Sequence, residues 1–147
     1  MKQFLISVCL VFLAISGLSA QDMIVLKTEL SVEEAVSKMQ QTIEKKGLTV
    51  FSVIDHQANA AKADMEIQPL TVLIFGNPKM GSRLMKADPR IGIHLPMKIL
   101  VFAQKGQTRI GYYDPMLYMK QFELSGQKAT LLKMQEAMAA FARSGIK

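Results

Sequence analysis

Seven consecutive residues, Leu70 to Gly76 (LTVLIFG), carry a single polar side chain, that of Thr71. The run is short for a helix and too uniformly apolar for a strand with one face in water. It therefore predicts a central strand covered on both faces. A sheet has to be assembled around such a strand, and helices have to cover it. The remaining pattern supplies both. Ile24 to Thr28 (IVLKT) alternates in period two and predicts a short strand. Leu48 to Asp55 (LTVFSVID) is β-branched and aromatic and predicts another. Lys98 to Ala103 and Thr108 to Asp114 predict two more, joined through Gln104-Lys105-Gly106-Gln107 with the glycine in the turn. Ile91 to His94 is expected to add a strand or extend one.

The helices announce themselves by period and by caps. Ser31 with Glu34 three residues on is a capping box, and it opens a stripe of Val32, Ala35, Val36, Met39 and Ile43. Lys45 and Lys46 suit the negative end of that helix, and Gly47 ends it. A second long helix is predicted from about Gly126 to Arg143, with Leu131, Met134, Met138 and Phe141 facing inward and Gly145 closing it. Asn77-Pro78 reads as an N-cap followed by proline in the first turn of a short helix that Asp88-Pro89 stops. His56 to Gln68 predicts a loop with a turn of helix, and Met116 to Gln121 a short helical piece. The fold class is α+β: an antiparallel sheet of four to five strands with helices packed on one face. Its core is expected to bury Val36, Met39, Ile43, Leu73, Phe75, Leu100, Leu131 and Met138.

The first twenty residues do not enter that domain. Lys2 gives a positive start, Phe4 to Ile15 (FLISVCLVFLAI) is apolar, and Ser16 to Ala20 is small and loosening. This is a secretory signal with its cut expected between Ala20 and Gln21. About 18 to 20 apolar residues are needed to span a bilayer, and the run is only about a dozen long. Residues 1–20 are thus a signal peptide and 21–147 one domain, periplasmic or secreted and not membrane-spanning once mature. Cys9, the one cysteine, leaves with the signal, so the domain has no disulfide and no thiolate chemistry. Beyond Lys2 there are 17 basic residues against 12 acidic, an excess that suits an anionic envelope surface better than nucleic acid, which an exported protein rarely meets.

Several features invite a chemical reading. His56 follows Asp55 at a strand end and opens an irregular loop, where scaffolds commonly present functional groups. It reads either as a backbone-bonded end residue or as a ligand contact or base. Asn77 at a helix start could meet an anion, though an N-cap explains it fully. Asp114 leaves a strand before Pro115 and is free to cap the helical turn beyond it. If the strand ends at His56, Asn77 and Asp114 share one edge of the sheet, they converge on one cleft. Ten methionines beyond residue 20 include the pairs Met116/Met119 and Met134/Met138, whose thioethers could hold Cu(I) or simply fill the core. No HxH or HxxxH spacing and no serine triad is present.

Taken together in this order and spacing, IFGNPKMGSRLM, HLPMKILVF and GYYDP resemble the DUF302 family of domains of unknown function. The likeness runs from about Ile24 to Phe122 and rests on Asp55-His56, Gly76-Asn77-Pro78, Leu95-Pro96 and Tyr113-Asp114-Pro115. It implies a β-α-β(4)-α arrangement related to the TATA-binding-protein-like fold, often assembled as a homodimer, and no established activity. It also implies an acidic residue ahead of Leu95-Pro96. His94 stands there instead, so no carboxylate role carries over to that place.

Three functions stay open on these grounds. One is a non-enzymatic module binding a small apolar or anionic ligand between sheet and helices. Another is a copper- or haem-binding module using His56, His94 or the methionines. The third is a cofactor-free hydrolase or isomerase using His56. No catalytic signature favours the last.

Overall fold

A computed structural model describes residues 23–146; the expected signal and its cut at Ala20 and Gln21 lie outside the described residues. The chain runs β1 (Ile24–Thr28), α1 (Val32–Lys45), β2 (Thr49–Asp55), α2 (His56–Ala61), β3 (Leu70–Gly76), α3 (Pro78–Ala87), β4 (Met97–Gln104), β5 (Gln107–Tyr112), α4 (Tyr118–Gln121) and α5 (Lys128–Ser144). Two 3-10 turns, Pro89–Ile93 and Pro115–Leu117, intervene. The five strands form one antiparallel sheet in the order β1-β5-β4-β3-β2. This is the expected α+β class, with β-α-β(4)-α order once the short helices are set aside.

Capping fixes the starts of the helices. Ser31 Oγ accepts from the backbone N–H of Glu34 while Glu34 Oε2 accepts from that of Ser31, the reciprocal pair expected. Gly47, at φ +75°, lets the chain leave α1 in a left-handed conformation that a side chain would resist. Asn77 Oδ1 caps α3 through Met80 N–H, and Asp55 Oδ1 caps α2 through Ala58 N–H. Lys105 and Gly106, both at positive φ, make the two-residue turn between β4 and β5.

The stripes on α1 and α5 land where their periods point. Val36, Met39, Ile43, Leu131, Met134, Met138 and Phe141 are buried against Leu73, Phe75, Ile99, Val101 and Ile110 of the sheet. Leu100 is a correction to the expected core. Ile99 and Val101 take the helix face, so Leu100 points to the other face with Val72 and is only half-buried. For the same reason β3 is not covered on both sides: Thr71, Leu73 and Phe75 are buried, whereas Leu70, Val72 and Ile74 are half-exposed. Residues Ile91–His94 form no strand. Pro89 starts a 3-10 turn there, with Asp88 as its cap and Ile91 buried beneath it.

Asp88 holds this region to the rest of the domain. It is buried and accepts from the backbone N–H and guanidinium of Arg90 and, across 35 positions, from the backbone N–H of Glu123 at 3.0 Å. The Arg90 hydrogen bond first, then that of the Glu123 backbone, holds its carboxyl well below the usual range. A carboxylate with a depressed folded pKa contributes stability above its unfolded pKa, about 3.9, and loses it as pH falls toward the folded value. Asp88→Asn is therefore expected to lower the melting temperature at pH 7. The gap to the parent should stay level down to about pH 4 and close below it. A pH-independent gap in thermal melts would rule the ionic contribution out.

Candidate functional site

The sheet topology decides which candidate residues can meet. β2 and β3 are antiparallel, with Thr49 opposite Gly76 and Asp55 opposite Thr71. His56 therefore lies beside the start of β3, and Asn77 beyond its end. Roughly 20 Å of strand separates the two at ~3.3 Å per residue. The expected convergence of His56 with Asn77 and Asp114 does not occur. His56 is the first residue of a six-residue helix, and it lines neither the cavity at Asn77 nor the recesses at His94 and Asp55.

Asn77, His94 and Asp114 do share an end of the sheet, because β3 and β5 end there and β4 begins there. They nevertheless occupy different surroundings. Asp114 is engaged: Oδ1 caps the turn at Pro115–Leu117 through Met116 N–H at 2.8 Å, and Oδ2 accepts from Gln135 Nε2 at 2.6 Å. His94 stacks on Tyr118 with ring centroids 5.0 Å apart and meets the edge of Phe122 at 5.5 Å. Burial pushes the Tyr118 hydroxyl up from its ordinary pKa. With Tyr113 and Gln121 the rings of His94 and Tyr118 border a recess of about 280 Å³. Among the described residues no group of three or more His, Cys, Asp or Glu is placed to hold a metal ion.

Asn77 borders an apolar cavity of about 360 Å³ between α3 and α5. Its floor is Gly76 and Met97 at the ends of β3 and β4, and one side is Leu95-Pro96, joined by a cis peptide. Phe51 closes another side. It is the extra residue of a bulge between Val50 and Ser52, which takes it out of the strand pairing and turns its ring toward Gly76. Five methionines line the space: Met80 and Met85 from α3, Met97 from β4, and Met134 and Met138 from α5. Only Asn77, Ser82 and Lys133 bring polar side chains to it. A third recess, with Asp55 and Gln57 among its lining, lies at the opposite end of the sheet.

Sequence reasoning singles out Asn77 and Met134/Met138 here but not Met80, Met85 or Lys133. The available signal is on α3, where Met80, Leu84 and Met85 share one side and Lys79, Arg83 and Lys86 the other. Leu84 is the one buried residue of α3, so its methionines are left facing the cavity.

A five-stranded antiparallel sheet with helices on one face, and an apolar cavity at one end of it, defines a small α+β domain. The chain belongs to the DUF302 family, a domain of unknown function, whose profile matches residues 24–142. The crystal structure of an uncharacterized conserved DUF302 protein from Bacillus stearothermophilus superimposes with a TM-score of 0.73 at 18% identity, covering 85% of this chain and 98% of that one. Curated relatives include the fluoride-specific ion channel FluC 1 of Brucella suis biovar 1, 33% identical over 86 residues, which are 58% of this chain and 34% of that protein. FluC 2 of Brucella melitensis biotype 1 is likewise 33% identical over 86 residues, 32% of its length. The chain thus spans about a third of the curated relatives it matches.

Proposed function

We propose that this is an exported, non-enzymatic binding module whose site is the cavity between α3 and α5. The observation that carries the reading is the lining: about 360 Å³ walled by five methionines, with only three polar side chains, those of Asn77, Ser82 and Lys133. That volume falls within the ~300–1,000 Å³ typical of small-molecule sites. Methionine, unbranched and polarizable, is the side chain that best adapts an apolar wall to a ligand's shape. Export rests on the N-terminal pattern, and N-terminal sequencing of secreted protein beginning at Met1 would sink it.

Ala137 lines the cavity from α5 and is half-exposed, so Ala137→Phe should fill the space without disturbing the core. The parent is expected to bind the neutral dye Nile red with a blue-shifted, saturable rise in fluorescence, and Ala137→Phe to abolish it. Gly81→Leu is a second plug. A Cβ at Gly81 meets only Leu95 and Met85, at 3.8 and 3.9 Å, so the helix can accept it. Saturable binding that survives both plugs in folded protein would reject the site.

The five thioethers also support a second reading, a Cu(I) site within the same cavity, independent of His56 and His94. Competition with a Cu(I) chelator separates the two: only the metal reading predicts copper retention that the plugs abolish. The channel relatives do not transfer conduction. No helix among the described residues is long and apolar enough to cross a membrane, and two-thirds of each relative lies outside the likeness. They support an accessory role for a domain of this kind. A homodimer through the sheet face bearing Val72 and Leu100 accords with their partial exposure, and light scattering that gives the monomer mass would remove it.

A further inference from the structure

The walls of the cavity and its rim differ in character, and from that difference we infer that the ligand is a fatty acid, its single acyl chain along the methionines and its carboxylate at Lys133. The inference rests on the binding-module reading of the cavity and narrows it to one chemical class. The walls favour a chain over a ring system. Phe51 is the one aromatic side chain among them, so a flat ligand such as Nile red is held by apolar contact without a second ring to stack against and is displaceable by a chain. Flexible thioethers on three elements instead suit a slender, flexible occupant. The volume, near the lower end for small-molecule sites, has room for one chain rather than the paired chains of a phospholipid.

The rim carries the charge. Lys133 is the one charged residue lining the cavity, it is exposed, and it makes no ion pair among the described residues. Its methylene stem can lie along the apolar wall with the ammonium at the mouth. Glu136, one turn further along α5, is exposed and does not pair with it. The helix forming the facing wall, α3, bears Lys79, Arg83 and Lys86 and no acidic residue. All three point away from the methionine side, so the mouth sits in a positive field without a cation being buried. An alcohol would leave Lys133 without a partner, and an alkylammonium would be repelled. A carboxylate at the end of an acyl chain satisfies both walls and rim.

The test is displacement of Nile red from the chain by decanoate, decanol and decylammonium, the ionic two below their micelle concentrations and decanol below its solubility limit, at low salt. Decanoate should compete about fivefold more tightly than decanol, the scale of a partly desolvated ion pair, with decylammonium weakest. Lys133→Gln should bring decanoate down to the level of decanol, read as the ratio of the two within each protein so that any change in dye or decanol affinity cancels. Added salt should shrink the parent's preference in the same direction. Equal competition by decanoate and decanol, or a decanoate preference that persists in Lys133→Gln, would overturn the fatty-acid assignment and leave the cavity reading intact. Dye binding that resists the plugs at Ala137 and Gly81 would overturn the cavity reading itself.

Discussion

Replacing Leu73 with alanine is expected to cost about 2–5 kcal/mol, whereas Leu100→Ala should cost about half as much or less. The two leucines sit on neighbouring strands of the same sheet and look equivalent in sequence. Leu73 is fully buried, paired with Ile99 on the face that α1 and α5 cover. Leu100 pairs with Val72 on the other face, where no side chain of β3 or β4 is buried. A truncated Leu73 leaves a hole that the helices cannot collapse into, so a cavity penalty adds to the lost transfer energy. A truncated Leu100 leaves a dent that water can enter. Urea denaturation with unchanged m-values reads both. Equal losses in the two variants would mean that something covers the second face in solution, and a concentration-dependent midpoint would identify that cover as another copy of the chain.

The second large effect belongs to Phe141, which anchors α5 to the sheet. Its ring meets that of Phe75 edge-on, centroids 5.4 Å apart at 90°, and both are almost wholly buried. Phe141→Ala is expected to cost about 3–5 kcal/mol, a large share of the ~5–15 kcal/mol that a domain typically has. Because that variant could be substantially unfolded, the ring contact is better isolated with Phe141→Leu and Phe75→Leu in a double-mutant cycle. A coupling of about 0.5–1.5 kcal/mol is expected for the edge-to-face pair. Additive losses would show that the two rings contribute as bulk alone.

Much of this fold is legible because its helices repeat a strong local pattern. The stripes of α1 and α5, the Ser31–Glu34 cap and the glycine stops each lie within one element, so no tertiary knowledge is needed to find them. The strands are harder. MKILVFAQ is apolar at nearly every position, and a run without alternation does not say which set of side chains faces the helices. Pattern alone therefore puts Leu100 in the core, where the register does not. The turn at Pro89–Ile93 depends on Asp88, and the tie from Asp88 to Glu123 is invisible locally.

The misplaced His56 is instructive in a different way. In an antiparallel sheet, the strand that comes after β2 in the chain and pairs with it must begin where β2 ends. The separation of His56 from Asn77 is therefore implied by the expected topology itself. The cavity is not implied. Its five methionines come from α3, β4 and α5, and only packing brings them to one wall.

The bulge at Phe51 has a consequence for how this protein survives at high concentration. β2 is a sheet edge seven residues long that contains neither lysine nor proline, and Phe51 and Val53 are both exposed along it. Such an edge is an invitation to strand addition and fibrillar stacking. The inserted residue breaks the two-residue alternation midway and increases the local twist, so an incoming strand can match the first half of β2 or the second but not both. The residue that completes the cavity wall thus also guards the edge against aggregation. Selection acting on one of these roles would constrain the other.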